Sequence, residues 1–440
     1  MKFVTAAAST AMLLVGFTPA AHAQVGTPAS PRVGSPMSGP QIGPPAPPQA
    51  IFPLPRTGPL PSTLNLAQSL DEAAARSPAI VAAEAEVAAA EARIRQAGYR
   101  DNPELSLEVE NFAGTGSLRG VRSLETTLAI NQRLDLAGRR SARLGSARAA
   151  LDAQRLRLAI ARADLSLSVR EQFARAVAAR EKLIQANETV DRARELARVA
   201  GILVDAGRDP PLRALRARSA LAQAQAEREA AVADELAARS SLAALFGVTL
   251  PVENVIGKTT DFPSQQVVPG TSLEVRLADA ERIAAQAAVR EQLAERRLNP
   301  AVGVGVRHIR ETGDVGVVAG LSMPLRIFNG NRGNIDAARQ NLAAADARRT
   351  TALASTTARA RNAIASVDAA QRRVEALEKS AVPEAAEALR LTELSYREGR
   401  SSLLELLDAQ NAYTTSRSGL TDARLQLALA VAELARIAAQ

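Results

Sequence analysis

The chain contains no cysteine, no tryptophan and only 2% aromatic residues over 440 positions. Without cysteine there is no disulfide framework, no thiolate zinc site, and no acceptor for the lipid that anchored exported proteins carry behind their signal. The scarcity of aromatics removes the stacking platforms that single-stranded nucleic acid needs. Of the two histidines, His22 falls in the leader, which leaves His308 alone, far in sequence from Met37 and Met323. No dedicated metal site is expected from so few ligands, and no cofactor. With no Gly-rich phosphate loop and no His-Glu-x-x-His pair, an enzyme lacks its parts. Beyond the leader, no stretch approaches the ~20 consecutive apolar residues of a membrane-spanning helix. The formal charge is +8, yet basic and acidic residues are interleaved instead of clustered, so nucleic acid is not an expected partner.

What remains is rich in Ala, Leu, Arg and Glu, the composition of long helices. Met1-Lys2, an apolar run to Val15 and the small-residue site Ala21-His22-Ala23 read as a secretory signal, residues 1–23, cleaved between Ala23 and Gln24. Residues 24–62 hold 12 of the 23 prolines without a hydrophobic period, and they read as an extended or disordered spacer.

Two passages then recur. Asn102-Pro103-Glu-Leu-Ser-Leu-Glu-Val-Glu110 returns as Asn299-Pro300-Ala-Val-Gly-Val-Gly-Val-Arg307. Ala206-Gly-Arg-Asp-Pro-Pro-Leu-Arg-Ala-Leu215 returns as Glu398-Gly-Arg-Ser-Ser-Leu-Leu-Glu-Leu-Leu407. The chain is a duplication, with one repeat over 63–250, a linker over 251–271 and a second repeat over 272–440.

Each repeat carries a strand hairpin after its opening helices, the first over 102–136. Leu105, Leu107 and Val109 alternate with Ser106, Glu108 and Glu110; after a Gly-rich turn at 113–120, the run 123–136 sets Leu124, Thr126, Leu128 and Ile130 on one side. The second hairpin, 300–327, alternates Val302, Val304 and Val306 with Gly303, Gly305 and Arg307, then turns at Gly313-Asp314. The strands are expected to be about 10 to 12 residues long, near the length that crosses a bilayer at a tilt. A soluble four-stranded sheet is the alternative. Against it, nothing in the pattern covers the apolar face, and open edges in lipid are costly. Transmembrane barrels begin at about 8 strands, so four strands close only by pooling with copies, and a homotrimer giving about twelve is the simplest solution. The aromatic girdle is thin: Tyr99, Phe112 and Phe328 near strand ends fit either membrane anchoring or incidental packing. His308 reads as a solvated or lumen-facing strand residue.

From Arg140 to about Val204 nothing interrupts a helix. Leu144, Leu151, Leu158 and Leu165 keep a heptad, which skips by four and resumes at Val169, Ala176, Leu183, Val190, Ala197 and Val204. Such a helix is a rod of roughly 100 Å. The second copy runs from Asn331 to Tyr396 with the same stutter, and Pro383 is expected to kink it. The rods end at tips 205–211 and 397–402, where Asp209 or Ser401 is expected to cap the next helix. The returning helices, about 210–246 and 402–438, are half as long, so 80–99 and 273–298 are needed to stack end to end with them.

The stretch Asn102 to Gly116, with Glu125-Thr-Thr-Leu through Leu136-Ala-Gly-Arg-Arg140, resembles the TolC family of outer-membrane efflux proteins, most of all its CzcC-like heavy-metal branch. Tyr396-Arg-Glu-Gly-Arg-Ser-Ser-Leu-Leu-Glu-Leu-Leu-Asp-Ala-Gln-Asn411 is similar to that family's second hairpin tip. The resemblance spans about 62–438. It implies a mostly α fold with a small transmembrane β part: an α-barrel and β-barrel built by a homotrimer with two structural repeats per chain. It also implies an outer-membrane location extending into the periplasm, a periplasmic membrane-fusion adaptor and an inner-membrane resistance-nodulation-division pump as partners, outer-membrane lipid around the barrel, and a divalent heavy-metal cation as cargo. Several relatives carry a lipidated N-terminal Cys that is missing here, so anchoring rests on the barrel.

Acidic residues narrow the periplasmic mouth in that family, and Glu405 and Asp408 occupy those positions. Stepping back 192 residues gives Arg213 and Arg216 in the first copy. These four are expected to pair across the mouth as a latch, or to be solvated faces of amphipathic helices. Gly207, Arg208, Asp209, Gly399, Arg400, Ser401 and Leu404 are the adaptor-contact candidates, several of them with a simpler role in turn chemistry. Two rival readings stand beside the metal duct: the same channel serving drug efflux or protein secretion, and a pore-free periplasmic coiled-coil scaffold.

Overall fold

The computed structural model describes residues 56–257 and 268–439. The leader with its Ala23/Gln24 site, most of the proline-rich segment and the middle of the linker lie outside them. In chain order the elements are β1 (Thr63–Leu64), α1 (Leu66–Arg76), α2 (Pro78–Gly98), β2 (Glu104–Glu110), β3 (Glu125–Arg133), α3 (Arg139–Asp205), α4 (Pro211–Leu245) and β4 (Asn254–Val255). Then come α5 (Leu273–Glu295), β5 (Ala301–Ile309), β6 (Asp314–Ser322), α6 (Arg332–Ala376), α7 (Val382–Arg397) and α8 (Leu403–Ala438).

The long helix α3 has 67 residues. It starts after Gly138, whose φ of 70° turns the chain, and the Asp135 carboxylate accepts the N–H groups of Arg139 and Arg140 at 2.8 and 3.0 Å, satisfying two free donors at the positive helix end. All ten residues of the stuttered stripe from Leu144 to Val204 are buried or half-buried. In the second copy α6 (45 residues) and α7 (16 residues) are joined by a five-residue π-helical turn, Leu377–Ala381. Pro383 follows after Val382, in the first turn of α7. A proline lacks the N–H of the α ladder, and the wider turn takes up the mismatch, so the expected kink is met by a π insertion in a continuous helix.

α3 lies at the centre of the layer: α2 and α5 flank one half of it, α4 and α8 the other. α6 packs on α5 and α8, and α7 on α8, so α2 and α4 form one edge and α6 and α7 the opposite edge. The half-length helices abut as their lengths require. Gly247, at the end of α4, comes so close to Pro78 at the start of α2 that a Cβ would lie 3.3 Å from its Cγ. Arg436 near the end of α8, only 4% exposed, reaches Asp164 of α3 at 2.5 Å and Glu274 of α5 at 2.8 Å. A small body that the sequence pattern did not reveal sits at mid-height. α1 and the parallel pair β1–β4 pack on α3 and α4 around Phe173, Leu64, Leu242 and Val255.

The second sheet has the order β2-β3-β5-β6, antiparallel throughout. Its register puts Leu107, Leu128, Val306 and Val317 in one row, with 66%, 50%, 50% and 80% of their surface exposed. On the other face Glu108, Thr127, Arg307 and Gly316 align. Such alternation gives one apolar and one polar face. Arg307 ties three strands from both repeats, donating to Thr127 Oγ1 at 2.9 Å and pairing with Glu125 and Glu110 at 3.0 Å each. The paired strands are seven to nine residues long, shorter than the expected 10 to 12. His308 is not on the polar face; it shares the exposed apolar side with Val304 and Val306, one residue from the strand's end at the β5–β6 turn.

Candidate periplasmic tips and gate

Both tips are built from one backbone pattern. After α3, Gly207 takes a φ of 70°, its N–H bonds the Val204 carbonyl at 2.9 Å, and the Arg208 N–H bonds Leu203 at 2.9 Å. After α7, Gly399 takes a φ of 75°, bonding Tyr396 at 3.0 Å while Arg400 bonds Ser395 at 2.9 Å. A glycine is needed because side chains disfavour the left-handed region, and these bonds satisfy the last carbonyls of each helix.

The following helices start differently. Asp209 and Ser401 do not cap them, contrary to expectation. Pro210 and Ser402 hold the N-cap positions, and only Ser402 has a side-chain cap, a capping box in which Glu405 accepts the Ser402 N–H at 2.7 Å. Asp209 instead pairs with Arg213 one turn on, and the Ser401 hydroxyl donates to the Thr392 carbonyl at 3.3 Å, closing its own tip. Gly207, Arg208, Gly399, Arg400 and Leu404 are exposed, with Arg400 paired to the adjacent Glu398 at 3.1 Å.

Within one chain the four expected gate residues are not brought together. Arg213 is committed to Asp209 and Glu405 to its cap, while Arg216 and Asp408 are exposed and make no ion pair among the described residues. The reason is topological: α4 and α8 lie on opposite sides of α3. What joins the tips is apolar, with Leu196, Ala200 and Ala217 of the first hairpin packed on Leu389, Leu403 and Leu406 of the second. Sequence reading passed over Tyr396 as a site residue. Its buried hydroxyl and the buried Oδ2 of Asp209 both lack a hydrogen-bond partner, and burial, reinforced by the Asp209 charge, pushes the phenol above its ordinary value. Its signal was position: a lone aromatic ending a long Ala-rich helix just before a glycine tip.

Beside this seam a second polar cluster ties α3 to α8. Arg192 and Arg417 lie over the Tyr413 ring at 5.0 and 5.6 Å, and Glu188 pairs with both guanidinium groups. Among the described residues no group of three or more His, Cys, Asp or Glu is placed to hold a metal ion, and no helix is long and apolar enough to cross a membrane.

A four-stranded sheet with one exposed apolar face, continuous with a layer of long antiparallel helical hairpins, is the architecture of outer-membrane channels. The solved structure of CusC, whose study concerns folding and transmembrane channel formation, shares the fold at a TM-score of 0.73 and 16% identity, over 85% of this chain and 92% of that one. The model of the outer membrane efflux protein family matches residues 69–248 and 269–440, and the chain belongs to that family. It is 31% identical over 306 residues to the nickel-cobalt-cadmium resistance protein NccC of Alcaligenes xylosoxydans xylosoxydans, covering 68% of this chain and 69% of that protein. It is also 29% identical over 378 residues to the cobalt-zinc-cadmium resistance protein CzcC of Cupriavidus metallidurans, covering 83% and 87%. The chain is thus an efflux component of the outer membrane that extends into the periplasm, and not an enzyme.

Proposed function

We propose that this protein is the exit duct of a tripartite resistance-nodulation-division efflux system and that its cargo is a divalent heavy-metal cation of the cobalt, nickel, zinc or cadmium type. The likeness to NccC and CzcC over both repeats carries the cargo assignment. Three copies close the barrel and the helical tunnel, and the exposed tip residues Gly207, Arg208, Gly399, Arg400 and Leu404, with Asp209 and Ser401 shaping the turns, meet a periplasmic adaptor. With Arg213 and Glu405 engaged inside each chain, Arg216 and Asp408 remain for pairing between copies at the mouth. Carboxylates repeated by threefold symmetry there repel one another and attract cations. The mature chain starts at Gln24 and carries no lipid.

A deletion strain tests this reading. Loss of the gene is expected to lower tolerance to cobalt, nickel, zinc or cadmium with little change toward drugs and detergents, and a plasmid copy is expected to restore it. Drug sensitivity with unchanged metal tolerance overturns the cargo assignment. For the gate, Arg216→Glu is expected to raise single-channel conductance in planar bilayers; a variant no leakier than the parent removes the pairing.

A further inference from the structure

The sheet ends in two open edges. β2 and β6 each bond a single neighbour, and both carry exposed apolar side chains, Leu107 at 66% and Val317 at 80%. In hydrocarbon, unpaired backbone groups of this kind cost several kcal/mol each, so the edges must be covered. The duplication says by what, and in which register.

Two offsets relate the repeats. Asn102-Pro103 and Asn299-Pro300 are 197 residues apart, which equates β2 with β5. Leu107 faces Leu128 in the first hairpin and Val304, its equivalent, faces Ala319 in the second, so β3 and β6 are related by 191 residues. The sequence gives the same 191 independently, since Leu134-Asp-Leu136 returns as Leu325-Arg-Ile327. The seam observed between repeats, β3 on β5, therefore has an equivalent that one chain cannot form: β6 on the β2 of a second copy.

We infer that neighbouring copies join edge to edge with Ala319 opposite Val109, Gly320 opposite Glu108 and Ser322 opposite Ser106, the images of Leu128–Val306, Ala129–Gly305 and Asn131–Gly303. This rests on the homotrimer reading and adds its register. Two further observations fit. In the observed seam Gly305 lies against Ala129 so tightly that a Cβ would come within 2.5 Å of the alanine's Cβ, whereas Gly320 has nothing within 4 Å of its own Cβ position. In the inferred seam the glycine has changed strands: Gly320 takes the place of Ala129, and the neighbouring copy's Glu108 takes the place of Gly305. The open space at Gly320 leaves that face of β6 free for the Glu108 side chain of the neighbouring copy. Leu134 N–H also bonds the Pro300 carbonyl at 2.8 Å beyond the end of β3; its image is Leu325 N–H on the neighbouring copy's Pro103. β6 then runs past Ser322 through Met323 and Leu325, which alternate and are exposed at 47% and 69% in the single chain.

The absence of native cysteine makes the register directly readable. Direct bonds from Arg310 N–H to Leu124 O and from Leu134 N–H to Pro300 O mark the apolar-face pairs as the hydrogen-bonded ones. Pairs on the polar face, Ser106 and Ser322 among them, are then the closer kind, with Cα atoms about 4.5 Å apart, inside the ~4.4–6.8 Å range of disulfides. Oxidising the Ser106→Cys/Ser322→Cys variant in its native membrane is expected to give a reducible covalent trimer on denaturing gels. The Ser106→Cys/Gly320→Cys variant, a two-residue slip, is expected to give roughly tenfold less, given how narrow that range is. The intrachain pair Asn131→Cys/Gly303→Cys shows that oxidation is complete. Should the protein have the mass of three chains while the slipped pair links as well or better, or neither pair links, the register is overturned and the trimer stands. Should the detergent-solubilised protein have the mass of one chain, the trimer itself falls and the seam with it.

Discussion

The two copies of the long helix share length, starting turn and glycine tip, but not surroundings. α3 is covered on both sides by α2, α4, α5 and α8, and it buries Phe173, Val169 and Val177. The α6–α7 rod packs mainly on α5 and α8, Leu353 is 38% exposed, and Leu391 and Leu394 near its end are about half exposed at 48% and 50%. Similar local grammar thus yields a core helix in one place and an edge helix in the other. What differs is the number of neighbours that one chain supplies, and the edge keeps its leucines exposed.

The sharpest way to break this comparison is at matched positions. Phe173→Ala empties the mid-height core and is expected to cost about 3–5 kcal/mol, read as a lowered denaturant midpoint of the detergent-solubilised protein. Counted from the helix starts, Gly138 and Asn331, its counterpart is the exposed Ser366, which is expected to tolerate Ala within ~0.5 kcal/mol. Equal losses at the two sites would end the distinction between core and edge.

At the tips, Leu406 is buried between the hairpins while Leu404 is 60% exposed. Leu406→Ala is expected to destabilise by about 2–5 kcal/mol, whereas Leu404→Ala leaves stability unchanged within ~0.5 kcal/mol and lowers metal tolerance in complementation. A Leu404→Ala strain as tolerant as the parent removes this residue from the adaptor contact.

The capping box separates the copies more finely. Ser402→Ala is expected to cost about 0.5–2 kcal/mol and to speed amide exchange at Glu405, which loses its acceptor. Pro210 has no side-chain cap to lose, so the first tip offers the uncapped reference.

The smallest effect belongs to the mid-height body, which only the first copy carries. The Arg76 guanidinium, bonded to Glu72 at 2.5 Å, holds that carboxyl below its ordinary 4.5 against the opposing effect of burial, with Arg56 assisting. A carboxyl lowered on folding stabilises the fold fully above about pH 4.5 and ceases to do so as pH falls through its folded value. Glu72→Gln is expected to flatten the acid limb of the stability curve below that pH and to leave its neutral region nearly parallel to the parent's.

Much of this was legible in the residues. Strand alternation at Leu105–Val109 and Val302–Val306, the stutter after Leu165 and the glycine tips are local patterns, dictated by side-chain period and by the φ that only glycine adopts freely. The mid-height body was not, because β1 and β4 are two residues each and pair across almost the whole first repeat. Nor did the pattern show the partner of Arg213 within the chain. Subtracting 192 finds Arg213 and Arg216 but says nothing of the Asp209 carboxylate one turn away, which claims Arg213 first.

By itself the sequence determined the duplication, the rods and the hairpins, since each rests on spacing along the chain, and it indicated the family through the resemblance of its motifs. Only the tertiary structure decided that the two repeats join through β3 on β5, that α3 is the central helix, and that Pro383 is absorbed by a π turn. Those outcomes depend on which distant surfaces meet, and a repeat written twice in the sequence does not say which copy lies inside and which waits at the edge.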